Sequence, residues 1–206
     1  MKNIKILTKS FLAGIMLSIG CLAYLLCDNT IIGCILFCVG LFIIVENGYN
    51  LFTAKIGYFV NNKKAYWKEL LITLGGNIVG SFMCGYLLVL TRLESLIGDK
   101  AIDISSSLLV DKWYSILIVS FFTGMLMYLS VNLYKVLSET SKYIALFLCL
   151  IVLVLLGLED SIANMFIFSV CNSWCLKGFL IVFIMLIGNS IGSLFIAALH
   201  NLIKIK

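Results

Sequence analysis

The chain has 206 residues, of which 62% are hydrophobic and only 12% charged, against roughly 25% charged in soluble domains; its mean hydropathy is +1.12. A soluble core of this length has no room for so much apolar surface, so the class is membrane protein. The net charge of +5 is divided among short clusters between apolar runs, which argues against nucleic-acid binding, since that needs a contiguous basic face.

Six apolar spans follow one another, each near or above the roughly 20 residues that a membrane helix needs. They cover approximately residues 11–27, 31–60, 70–90, 113–136, 143–170 and 176–199. The first follows a basic start (Lys2, Lys5, Lys9) with no small-residue cleavage pattern, so it reads as a membrane helix and not a removed signal. The second and fifth spans are too long and polar in the middle. The second holds Glu46, Asn47, Asn50 and Thr53; the fifth holds Glu159, Asp160, Ser161 and Asn164. The chain has no proline, so Gly48, Gly57 and Gly157 are left to supply backbone freedom. Breaks are expected near 47–53 and 157–161.

Lysine and arginine are distributed unevenly between the connections. The N-terminus, Lys55, the 61–68 and 135–142 loops and the C-terminal tail hold most of them; the other side has Arg92, Lys100, Lys112 and Lys177. The positive-inside rule then places both termini in the cytoplasm of a multi-pass plasma-membrane protein. The sequence also repeats itself. Residues 11–19 (FLAGIMLSI) resemble 121–129 (FFTGMLMYL), and GNIVGS at 76–81 resembles GNSIGS at 188–193. Three spans per half require the second half to lie upside down relative to the first. The reading is one domain over 1–206, built from inverted repeats of about 1–100 and 101–206. Such repeats with an interrupted helix in each half mark a solute pathway near the bilayer midplane.

Gly76, Gly80, Gly188 and Gly192 fit the small-xxx-small pattern of close helix contact. Asn77 and Asn189 inside those motifs are read as clamps on the free backbone groups of the breaks. Glu159 and Asp160 are intramembrane acids, costly and therefore functional candidates. As neighbours they do not share one helix face, so Lys142, at the start of the same span, is expected to neutralise Glu159 and leave Asp160 to the lumen. Glu46 is a third acid, with either a pore role or a pairing role near the first break. The eight cysteines show no CxxC or Cys/His ligand spacing and read as small apolar residues. No nucleophile–base pair, metal set, cofactor motif or nucleotide motif points to an enzyme.

Three segments together resemble the formate/nitrite transporter family over essentially the whole chain: LFTAKIG at 51–57, GLEDSIANMF at 157–166 and IGNSIGS at 187–193. The resemblance implies an aquaporin-like protomer of six helices with helices two and five broken, one pore per protomer, and a homopentamer passing formate, nitrite, hydrosulfide or similar monovalent acids. It implies that Thr53 is the loop threonine beside the constriction aromatic Phe52. Phe37 and Leu41 are implied at one apolar constriction and Leu153 at the other. Lys142 and Glu159 match a paired lysine and glutamate, and Asn164 and Asn189 match structural amides.

One departure stands out: Asp160 occupies the place of the family's central pore histidine. Histidine can be cationic near neutral pH; aspartate never is. An ionised Asp160, with Glu46, favours a small cation, so the expected solute is ammonium or ammonia. The alternative is an anion channel of the family's usual kind, with Asp160 protonated and Lys142 and basic vestibules supplying the attraction.

Overall fold

The structure, a computed structural model, describes residues 1–62 and 65–203. Lys63, Lys64, Lys204 and Lys206, part of the charge bias above, lie outside the described residues. Among these the chain is helical throughout: α1 (Lys2–Leu25), α2 (Thr30–Glu46), α3 (Phe52–Lys55), a 3-10 helix (Ile56–Asn61), α4 (Tyr66–Val89), α5 (Glu94–Val110), α6 (Trp113–Val136), α7 (Glu139–Leu155), α8 (Ser161–Val170) and α9 (Leu176–Ile203). By length and composition α1, α4, α6 and α9 can each cross a membrane alone. Their outward side chains are apolar, with Ile118, Phe122, Phe183, Ile191 and Phe195 exposed; so much exposed hydrocarbon suits lipid and not water.

Two tight helix pairs form the frame, α1 with α4 and α6 with α9. Both rest on small residues where backbones touch. A Cβ on Gly14 would meet the Asn77 carbonyl oxygen at 2.5 Å, and one on Gly188 would meet the Leu117 carbonyl oxygen at 2.7 Å. Gly124 lies as tightly against Asn189, and Gly192 against Phe121. Helix association between apolar surfaces depends on this close packing.

The short helices cross between the frames. α8 belongs to the second half of the sequence but packs on α1, α4 and α5 as well as α9; α3 belongs to the first half but packs on α6 and α9 as well as α4. Every residue of α8 is buried. The interior therefore consists of one frame's broken element embraced by the other frame.

α5 was not among the expected elements. Residues 91–112 are too polar for a span, yet Ile97, Ala101, Ser105 and Leu108 are buried at helical spacing while Asp103, Ser106 and Ser107 face outward. This is an amphipathic helix lying on the body, of the kind that period-3.6 patterning specifies.

Candidate functional site

The stretch expected as a second span is two pieces. α2 ends at Glu46 and helix resumes at Phe52. Gly48 has φ +59°, and the turn closes by Tyr49 N donating to Ile44 O at 2.8 Å and Gly48 N to Val45 O at 3.1 Å. That is a Schellman ending, which needs a left-handed residue and so a glycine. The open backbone beyond it is held by Asn77 of α4. Its Oδ1 accepts from Phe52 N at 2.7 Å, and its Nδ2 donates to Asn50 O at 2.8 Å and to Ser10 O at 2.7 Å.

The fifth stretch repeats this arrangement. Gly157 has φ +62°. Leu158 N donates to Leu153 O, and Gly157 N to Val154 O, each at 3.0 Å. Asn189 of α9 accepts from Ser161 N at 2.9 Å and donates to Glu159 O and Ser120 O, both at 2.9 Å. Each amide satisfies backbone groups that helix interruption strands in the interior, where an unmet polar group costs about 1–3 kcal/mol.

The breaks differ in their side chains. α3 starts without a side-chain cap. α8 starts on Asp160, whose Oδ1 accepts from Ile162 N at 2.8 Å and Ala163 N at 3.1 Å. An aspartate in this place is an N-cap. Its other oxygen, Oδ2, is buried without a hydrogen-bond partner, as are Thr53 Oγ1, Ser161 Oγ and Asn164 Oδ1. The Thr53 hydroxyl faces the Asp160 carboxylate across the centre without a bond of normal geometry. Four polar atoms at and beside the two breaks are thus buried without partners inside an apolar core, two of them on residues, Asp160 and Asn164, that line a cavity.

A cavity opens on each side. On the Asp160 side a cavity of about 150 Å³ is walled by Cys21, Tyr24, Phe37, Leu153, Glu159 and Asp160, among others, and Glu159, Asp103, Asp111 and Lys112 line the wider recess outside it. On the side of the first break a cavity of about 250 Å³ is lined by Gly48, Asn50, Leu51, Ala54, Lys55 and Lys135. Lys9 Nζ donates to Gly48 O at 2.9 Å. One cavity is acidic and the other basic.

The family model described as formate/nitrite transporter matches residues 1–203. The chain belongs to the formate/nitrite transporter family. No curated protein sequence matches it. Among solved structures it is similar to an FNT family ion channel, with TM-score 0.85 and 18% identity over 98% of this chain and 91% of that one. It is also similar to a pentameric formate channel with formate bound, with TM-score 0.83 and 21% identity over 100% of this chain and 98% of that one. These structures share its fold.

Within this family member several expected positions need correction. Lys142 does not neutralise Glu159. Lys142 lies in the first turn of α7 and Glu159 beyond its last residue, Leu155, so about 20 Å of helix at about 1.5 Å per residue stands between them. Lys142 Nζ instead stands 4.8 Å from the Tyr134 ring and 4.7 Å from the Tyr143 ring. Glu159 Oε2 accepts from Asn164 Nδ2 at 2.7 Å, and the cation sharing its recess is Lys112. Glu46 is not a pore acid: it is exposed at the end of α2 and takes a short hydrogen bond from Tyr134. Phe37 and Leu153 both wall the Asp160-side cavity. Leu41, one turn along α2 from Phe37, is fully buried in the core, and Phe52 is buried at the start of α3. Asp160 itself lines that cavity with one oxygen committed to the cap and the other without a partner.

Sequence reasoning passed over Tyr24 and Cys21, which look like ordinary span residues, and Lys55 and Lys135, which entered only as topology charges. It also missed the cap. Asp160 directly precedes the apolar run of α8, and that position is the signature of a helix start.

Proposed function

We propose that this protein is a channel for small monovalent anions of the formate and nitrite type, and not for ammonium. Asp160 hydrogen-bonding carries the choice of sign. A cation site needs an ionised carboxylate free to coordinate, whereas Oδ1 is spent on the α8 backbone and only Oδ2 is left. With a proton on Oδ2 the group is a hydrogen-bond donor. With the Thr53 and Ser161 hydroxyls it offers three donors to one small anion between apolar walls, a suitable arrangement for a weakly held permeant ion. Lys55 and Lys135 beside the first break supply a positive field that concentrates anions at that mouth. The family, and a structural neighbour described as a formate channel, lean the same way.

The architecture belongs to the same proposal. α2 with α3 and α7 with α8 act as two interrupted spans beside the four continuous ones. The six spans then form inverted repeats, about 1–100 and 101–206, in one unit covering 1–206. Their shared features are the paired Schellman glycines, Gly48 and Gly157, and the paired clamps, Asn77 and Asn189. α1 begins and α9 ends at the same face, where Lys2 and Lys55 meet Glu69 at 3.9 and 3.6 Å and Asn201 bonds Asn61. We assign this basic face to the cytoplasm of the plasma membrane. The protomers assemble as a homopentamer, as the similar formate channel does.

Replacing Asp160 with Asn tests the sign. Asparagine caps helices as well as aspartate, keeps donors at the centre and removes all charge. In proteoliposomes D160N is expected to retain formate and nitrite uptake. Loss of anion uptake together with loss of methylammonium uptake present in the wild type would overturn the proposal.

A further inference from the structure

Tyr24, in the last turn of α1, lines the Asp160-side cavity and is positioned by two contacts outside α1. Its ring packs on Gly33 of α2, where an added Cβ would meet Tyr24 Cδ2 at 3.1 Å. Lys100 of α5 places Nζ 4.5 Å from the ring centroid. The same ammonium donates to Tyr24 O at 3.0 Å and Cys27 O at 2.9 Å. Those carbonyls belong to the end of α1, where a cation suits the helix dipole; Tyr24 O also accepts from Cys27 N at 3.2 Å. Lys100 is the only cation in α5, so this lysine ties the surface helix to the wall of the cavity. Cys21 lies one turn deeper on α1, walls the same cavity and is only 3% exposed. Asp160 lies within electrostatic reach of it. Tyr24 is partly exposed whereas Cys21 is buried, so of the two the ring lies nearer the surface of the cavity wall.

We propose that Tyr24 is a size-selecting constriction at the mouth of the acidic-side cavity, and that Lys100 is the positioning residue that holds it in place. Releasing the lysine removes one of the two contacts that hold the ring in the cavity wall and leaves it only the packing on Gly33. The size-selecting role rests on the anion-channel reading; the constriction itself does not.

The test uses the full chain in liposomes and follows two signals. The first is the rate at which a membrane-impermeant trimethylammonium methanethiosulfonate modifies Cys21, resolved by peptide mass spectrometry. Cys38 serves as the internal control: it is fully buried, lies outside this cavity, and its thiol bonds Cys34 O at 3.1 Å. Y24A is expected to speed Cys21 modification by about tenfold and K100M by about threefold, with K100R within about twofold of wild type. Cys38 should stay unchanged in all of them. The second signal is the ratio of propionate to formate uptake, which is expected to rise in Y24A and K100M and not in K100R. Cys21 rates in Y24A or K100M equal to wild type overturn the constriction. Cys21 and Cys38 rising together also overturn it, because that pattern means that the substitutions loosen the fold. If Cys21 rates separate as expected while no variant takes up any monocarboxylate, the constriction stands and the anion-channel reading fails.

Discussion

The two helix breaks share a backbone and differ in chemistry. Both close with a left-handed glycine, both are clamped by an asparagine one frame helix away, and each sends a short helix into the opposite frame. Yet the first leads into a four-residue helix without a side-chain cap and a cavity lined by Lys55 and Lys135. The second leads into a ten-residue buried helix capped by Asp160 and a cavity lined by Glu159. The shared part is what stranded peptide groups require in an apolar interior. The charges around each mouth are under no such constraint, and under the proposed function they set the sign of the permeant ion.

The largest expected effect tests the shared part. N77A and N189A each remove three buried hydrogen bonds and strand a backbone N–H, so each should cost about 3 kcal/mol, read as loss of thermal stability of the detergent-solubilised protein. Similar losses support equivalent clamps; a large loss in only one would show that the breaks are mechanically different. Next come G48A and G157A. Forcing a side chain into the left-handed conformation costs about 1–2 kcal/mol. The cost should be alike at both sites, because nothing lies within 4 Å of a Cβ at Gly157 and only Lys9 Nζ, at 3.6 Å, at Gly48. D160A should lose about 1 kcal/mol through the missing cap, whereas D160N should match the wild type within a few tenths. Equal losses in both would mean that the carboxylate charge, and not the cap geometry, stabilises α8. The smallest effect concerns the divergent part. K135Q removes a cation at the basic mouth and should lower anion uptake by about twofold at low ionic strength, with the difference vanishing in high salt. A deficit that persists in high salt would point to lost packing against the Tyr58 ring, 4.0 Å from Lys135 Nζ.

How much of this was legible depends on whether a feature is local. Gly48 and Gly157 announce interruptions because they stand beside polar residues in otherwise apolar runs. Asn77 and Asn189 stand out because the same hexapeptide frame surrounds both. The Lys142–Glu159 pairing failed because membership of one span says nothing about distance: a continuous α7 separates them by most of the membrane's thickness. Glu46 misled for a related reason, since the second span does not bury it and α2 ends there in reach of Tyr134. α5 escaped because a surface helix with polar residues on one side has neither the length nor the hydropathy of a span. Asp160 was noticed for its charge, while its position before an apolar run, which fixes what its Oδ1 does, was overlooked. The contacts of Tyr24 with Gly33 and Lys100 join three separate helices, and no spacing in the sequence reports them.

The central claim is that a buried, helix-capping aspartate leaves this pathway an anion path. The most direct measurement is uptake of isotope-labelled formate and of isotope-labelled methylammonium by proteoliposomes containing the wild-type protein, each against protein-free liposomes. The account predicts saturable or channel-like formate uptake well above background with methylammonium at background. Methylammonium uptake above background with formate at background would contradict it and restore Asp160 as a cation site.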